Sequence, residues 1–303
     1  MPLMEHLFEL RRRMFVAAVG IVLGSVVGFV WYGQGIPALG VPSLGEILIA
    51  PYCAVPSPPR ITFDGAGSCT LLATGPFSIL EVRLKAAVLT GAVLSSPIWL
   101  GQLWGFVTPA LHRRERRFAL TFVAVGSTLF VAGSVLAYVV IREGLQVLLG
   151  FGGDTVGAAL SPDSYFSFLI AMLLIFGVSF ELPLLLVMLN LAGVVPAAAL
   201  SRWRRYAYFA MILFAGLVVP GNDPVTMLAL GVSLCVLYEV AAQVSRIHDR
   251  RAARRAVAQE REFALDGIAE PAPVLAASTT PVASPLPSPT PHPLPHPRTD
   301  PNG

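Results

Sequence analysis

Carboxylates placed in or beside apolar runs are the residues of this chain best positioned for chemistry. Glu181 stands in the middle of Phe176-Gly177-Val178-Ser179-Phe180-Glu181-Leu182-Pro183, and Glu239 follows Leu237-Tyr238 late in another apolar run. An ionisable group inside hydrocarbon is costly and by default marks a functional position. Glu181 lies two residues before Pro183, whose ring removes a helix hydrogen bond and can kink the helix. Two readings stand for it: a carboxylate lining a polar groove open to water or a partner, or a protonated acid bonded to a neighbouring helix. Glu239 has equal standing as a functional group and as the partner of Arg246 or of the loop arginines. Glu5 and Glu9 are four residues apart, so in a helix they share a face with each other and with Arg12 or Arg13. A surface ion pair of that kind contributes a few tenths of a kcal/mol. Glu115 sits in His112-Arg113-Arg114-Glu115-Arg116-Arg117, where its helical neighbours are Leu111, His112, Phe118 and Ala119 rather than arginines. It reads either as a solvated loop charge or as a carboxylate open to a guest.

Bond-making chemistry finds no such footing. A nucleophile needs a base within reach. All five histidines (His6, His112, His248, His292 and His296) fall outside the apolar runs, and Ser233 has no evident partner. No metal or phosphate motif is present, so neither an enzyme, a metal site nor a cofactor is expected. Cys53 and Cys69 share one long proline-rich loop between apolar runs. A bridge would close a loop of roughly 16 residues, worth on the order of 3 kcal/mol in the chain-entropy model, while two unrelated thiols remain the alternative. Cys235 lies inside an apolar run and reads as a packing residue.

The elements that must position these groups are membrane helices. The chain has 303 residues, 55% hydrophobic and 13% charged, with a mean hydropathy of +0.70, against about 25% charged residues in soluble domains. Its net charge of +3 offers no footprint for nucleic acid. Six runs approach the ~20 apolar residues needed to span a bilayer: Met14–Tyr32, Ala86–Val107, Phe118–Ile141, Tyr165–Val195, Tyr206–Val219 and Val225–Val244. The run behind the first basic cluster ends in Trp31-Tyr32, not in a small-residue cleavage site, and is expected to stay as the first span. Seventeen of the 21 basic residues fall on one side of the resulting alternation, from Arg11–Arg13 through Arg113–Arg117 and Arg202–Arg205 to Arg246 and beyond. The positive-inside rule makes that side cytoplasmic and puts both termini there.

The first external loop, 33–76, is proline-rich, and Ser43–Ile49 within it and Phe77–Val82 just after it are candidate short helices. Ser161 or Asp163 is placed to cap the fourth span. Residues 220–224 form a tight turn. An all-α membrane domain is therefore expected over residues 1–248. Residues 249–303 form a basic, then Pro/Ala/Ser-rich cytoplasmic tail that cannot bury a core and is expected to be disordered from about Ala264 onward.

Several segments together resemble the TatC family, a subunit of the twin-arginine protein translocase. They are His6-Leu7-Phe8-Glu9-Leu10-Arg11-Arg12-Arg13, Ser96-Pro97 with Gln102 through Leu111 and Glu115-Arg116-Arg117, Ser164 through Phe168, Phe176 through Pro183, and Tyr238-Glu239. The resemblance implies a concave, glove-like bundle of six transmembrane helices in a bacterial inner membrane. It implies a receptor for the twin-arginine signal peptides of folded substrate proteins, acting with TatA, TatB and further copies of itself and driven by the proton-motive force. Carried over to this chain, Glu9 and Glu115 hold the signal arginines. Phe106 and Pro109 belong to the loop motif beside them, and Arg11, Arg116 and Arg117 shape the region. Glu181 is the intramembrane polar position near partner docking, and Pro51 and Asp223 are structural residues of the external loops. The chain departs from the family pattern at Met227, where a glutamine is frequent, and at Pro220-Gly221-Asn222, where a proline pair often precedes the acidic residue.

A guanidinium is permanently charged and bonds carboxylates bidentately, so a water-poor pocket with Glu9, Glu115 and an aromatic wall from Phe106 suits paired arginines. The loop arginines would hold this face at anionic lipid. The rival reading is a proton-coupled small-solute transporter. It would predict inverted repeats around a midplane site, and Glu181 is the one midplane charge.

Overall fold

The computed structural model describes residues 3–35, 40–55, 75–107, 116–150, 161–221 and 223–269, and every regular element among them is helical. In chain order these are α1 (Leu3–Gly33), α2 (Leu44–Cys53), α3 (Ser78–Leu94), α4 (Ser96–Val107), α5 (Arg116–Gly150), α6 (Pro162–Leu191), α7 (Ala197–Arg202), α8 (Arg204–Val218) and α9 (Pro224–Ala269). Residues Met1–Ala253 form one compact unit and Arg254–Gly303 another. Within the second, the described residues are helical to Ala269, five beyond the point where irregular chain was expected, because the Ala-, Arg- and Glu-rich stretch has high helix propensity. His292 and His296 lie outside the described residues.

Helices containing Phe8–Gly33, Leu120–Leu148, Pro162–Leu191 and Pro224–Glu262 are long and apolar enough to cross a membrane, and α3 with α4 adds a fifth crossing if the bent pair counts as one. The fifth expected span, Tyr206–Val219, corresponds to α8, whose 15 residues reach about 22 Å at 1.5 Å per residue, short of a ~30 Å core.

The second expected span differs most from its sequence reading. It begins at Ser78, not Ala86, and it bends by 59° between α3 and α4. Pro97 has no N–H to continue the ladder. Ser95 instead closes α3, with its N–H (2.9 Å) and its Oγ (2.7 Å) both donating to the Gly91 carbonyl. The Trp99 indole donates across the bend to the Ala92 carbonyl at 2.9 Å. Pro183, by contrast, sits inside an uninterrupted α6.

α1 crosses α3 backbone to backbone. A Cβ at Gly24 would lie 2.9 Å from both Cα and O of Gly91, and one at Gly91 would lie 2.3 Å from Ser25 Oγ. Glycines at this crossing allow the close approach that drives helix association in lipid, where apolar burial contributes little. α5 and α6 run antiparallel, tied by Ser134 Oγ donating to the Leu173 carbonyl at 3.1 Å, with Phe130 and Phe176 fully buried.

α2 is a short helix outside the long ones. Ser43 and Glu46 form a reciprocal capping box at its start. Pro51 lies inside it, buried, and has no N–H for the Ile47 carbonyl. The Tyr138 hydroxyl of α5 fills that vacancy at 2.6 Å, and the Tyr165 hydroxyl of α6 donates to the next carbonyl, Leu48, at 2.7 Å. α2 is thus pinned to the long helices through the carbonyl its proline releases.

Candidate functional site

The start of α1 and the end of α4 meet at the arginine-rich end of the bundle. Glu9 and Arg13 are one turn apart on α1. Arg13 directs Nη2 (2.6 Å) and Nε (3.1 Å) to the same oxygen of Glu9. Its Nη1 reaches the Gln102 carbonyl of α4 at 3.4 Å. The guanidinium rests against Gly105, where a Cβ would come within 2.1 Å of Nη1. Phe106, half-buried, follows Gly105 in the last turn of α4. Arg11 is exposed, with its guanidinium 5.3 Å from the centre of the Phe8 ring.

The junction thus brings Glu9, through Arg13, to the turn of α4 that carries Phe106, whereas Arg11 lies against Phe8 of its own helix. Arg116 and Arg117 open the first turn of α5, and Pro109 and Glu115 lie outside the described residues. Arg13, Gln102 and Gly105 were not singled out by the sequence as site residues. The i to i+4 spacing announced the Glu9–Arg13 pair, but no local signal announced its reach to α4.

Deeper in the bundle, Glu181 is buried at 8% exposure. Its Oε2, the Trp104 Nε1 and Leu184 Cδ2 all lie within 3.3 Å of the point a Cβ would occupy at Gly126. α4, α5 and α6 thus converge there, and glycine at 126 makes room for the carboxyl and indole together. The Trp104 indole N–H is the polar group that faces the Glu181 carboxyl there. Beside this point an apolar groove of about 300 Å³ runs between α5, α6 and α9, lined by Phe122, Val125, Pro183, Leu184 and Val240 among others. Gly126 carries no sequence signal beyond being a glycine in an apolar helix.

Glu239 pairs with Arg204 at the start of α8 (2.8 Å) and accepts from the Tyr208 hydroxyl. Arg246, its other candidate partner, bonds Ser201 Oγ through Nε (3.0 Å) and Nη2 (2.8 Å) instead. The loop-arginine reading therefore holds. One turn on, beyond the hydrophobic part of α9, Asp249 accepts from the Ala197 N–H at 2.9 Å and the Asn190 amide at 3.2 Å. Partial burial pushes its carboxyl up, but these bonds and the adjoining His248 outweigh that and hold it below its usual range. The Tyr238 hydroxyl takes the Leu200 carbonyl at 2.7 Å, a group left over where α7 ends. Together these contacts fasten α7 to α9.

At the opposite end, Asp223 is 1% exposed and caps α9. Its Oδ1 accepts from the Thr226 N–H at 2.7 Å and its Oδ2 from the Thr226 hydroxyl. Ser161, rather than Asp163, caps α6, accepting from the Ser164 N–H. Asp163 instead joins Glu81 and Ser167 around Lys85. Cys53 is disulfide-bonded and Cys235 is a free thiol, while Cys69 lies outside the described residues.

A family model described as Sec-independent protein translocase protein (TatC) matches residues 5–232. The chain is 45% identical over 291 residues to a Sec-independent protein translocase protein TatC of Corynebacterium kroppenstedtii, covering 93% of this chain and 70% of the relative. It is 47% identical over 257 residues to a protein of the same description from Frankia casuarinae, covering 84% of this chain and 68% of the relative. A crystal structure of the twin-arginine translocase receptor TatC in DDM superposes with a TM-score of 0.62 at 28% identity, over 79% of this chain and 99% of that one.

Proposed function

The chain belongs to the TatC family of Sec-independent protein translocase components, multi-pass membrane proteins, and on that premise we propose that its arginine-rich end receives the twin-arginine signal peptides of folded proteins bound for export. The observation that carries this reading is the α1–α4 junction. There Glu9 offers a carboxylate at the rim of the bundle, beside Phe106, in a setting that already accommodates a guanidinium. A bidentate, charge-assisted bond to a guest arginine needs such an acceptor. Glu115, on the connection that holds Pro109 and leads into Arg116 and Arg117 at the start of α5, would supply the second acceptor that an adjacent pair of arginines requires.

The chemistry is recognition rather than bond-making, so the chain acts as a receptor and not as an enzyme. Both termini and the arginine-rich end face the cytoplasm of a bacterial inner membrane, where the surplus of arginine meets anionic lipid. TatA, TatB and further copies of this chain assemble in the membrane. The apolar groove beside Glu181 is the surface proposed for a partner helix, and the proton-motive force drives transport. The family match favours this reading over a small-solute transporter.

Photocrosslinking tests it. A photoreactive residue at Phe8 or Leu103, both exposed, leaves Glu9 and Glu115 intact and should capture a signal peptide that has its two arginines. Replacing both peptide arginines by glutamine should lower the yield on the order of tenfold, as should Glu9→Gln or Glu115→Gln, the scale of a lost charged hydrogen bond. Equal capture with and without the arginines would place recognition elsewhere.

A further inference from the structure

We propose that Arg13 is a built-in competitor for the signal arginines: it occupies the Glu9 carboxylate in the guest-free protein, and a guest must displace it. This rests on the receptor reading above and concerns how the same site selects its guest.

Three features separate Arg13 from an ordinary surface ion pair. Two of its nitrogens converge on one Glu9 oxygen, at 2.6 and 3.1 Å. A third nitrogen reaches across to the Gln102 carbonyl on another helix at 3.4 Å. The planar group also lies against Gly105, a position where any side chain would meet it. The Arg13 side chain is consequently only 25% exposed, whereas Arg11 and Arg12 on the same helix are exposed. The guanidinium is held between two helices rather than left waving in solvent.

This seat has the chemistry a guest arginine would need: a carboxylate oxygen, a backbone carbonyl and the glycine surface next to Phe106. An incoming guanidinium at Glu9 therefore exchanges for one already present, and most of the gain from that bond is cancelled. A peptide offering one cation gains little by such an exchange. A peptide with a second adjacent arginine and an apolar segment must supply the difference through other contacts. Specificity is a difference of affinities, and an internal occupant lowers the affinity of every guest that relies on Glu9 alone.

Fluorescence anisotropy of a labelled twin-arginine signal peptide on the purified full-length chain in detergent reads this exchange. Arg13→Gln removes the competitor and should tighten binding roughly two- to fivefold, the range of ion pairs partly shielded from water. Arg12→Gln removes the same charge from an exposed neighbour and should leave the dissociation constant at the wild-type value. Should Arg13→Gln not fold, Arg13→Lys keeps the charge, loses the fork, and should also bind more tightly. Unchanged or weaker binding in the Arg13 variants overturns the proposal, and so does an equal gain in Arg12→Gln. If wild-type binding is instead indifferent to replacing both peptide arginines, the receptor reading itself falls. If wild-type discriminates and the Arg13 variants gain nothing, competition alone is wrong.

Discussion

At the scale of single residues, the contacts that matter are those serving backbone groups a helix cannot satisfy. Asp223 does this at the start of α9, holding both the N–H and the hydroxyl of Thr226 while almost wholly buried. Asp223→Ala leaves that N–H without its cap and should destabilise the protein by about 1–2 kcal/mol. Asp223→Asn, an equally good cap, should recover most of the loss. The midpoint of thermal unfolding in detergent checks both, and an alanine variant as stable as wild type would remove Asp223 from the list of structural residues. Pro51 follows the same logic in reverse. It creates an unpaired carbonyl at Ile47, and Tyr138 converts that defect into a tie between α2 and α5.

At the scale of elements, the α1–α3 crossing and the α3–α4 bend position the α1–α4 junction. α1 can lie against α3 only because Gly24 and Gly91 meet without side chains between them. Gly91→Val would put branched carbon into Ser25 and the Ile21 carbonyl, contacts of 2.3 and 2.6 Å at its Cβ alone. Overpacking of this kind costs on the order of 1–3 kcal/mol. The expected result is separation of α1 from α3, read as loss of disulfide crosslinking between cysteines placed at facing positions of the two helices. Because α4 leaves α3 at 59°, a shift at this crossing also carries the Phe106 end of α4 away from the Glu9 acceptor on α1. Signal-peptide binding should therefore weaken along with the crosslink.

At the scale of the whole molecule, the distribution of arginines decides which end faces the signal peptide. Single cysteines at exposed Arg250 and at exposed Phe77, in a background lacking the native thiols, should report opposite sides of the membrane to a membrane-impermeant maleimide applied to intact cells. Phe77→Cys should label and Arg250→Cys should not. Labelling of Arg250→Cys from outside would invert the topology and defeat the receptor proposal. With the native thiols retained, the Cys53 disulfide is expected to survive without reductant, while Cys235 is alkylated.

Much of this architecture was legible in the residues because it depends on local properties. Apolar runs long enough for lipid, arginines at alternate connections, Ser161 before Pro162, and the turn ending in Asp223 each act within a few positions of themselves. The same holds for the Glu9–Arg13 pair, which a single helical turn brings together. Other features required helices distant in the chain to meet on particular faces. The 59° bend follows from how α3 and α4 pack as well as from Pro97. Arg204 rather than Arg246 reaches Glu239 because α8 and α9 lie side by side there, while Ser201 claims Arg246. Glu181, Trp104 and Gly126 come from three different helices, and Arg13 reaches Gln102 across a gap of 89 positions. No local pattern encodes such meetings. They are set by the relative rotation and offset of rigid helices, which packing of the assembled bundle determines.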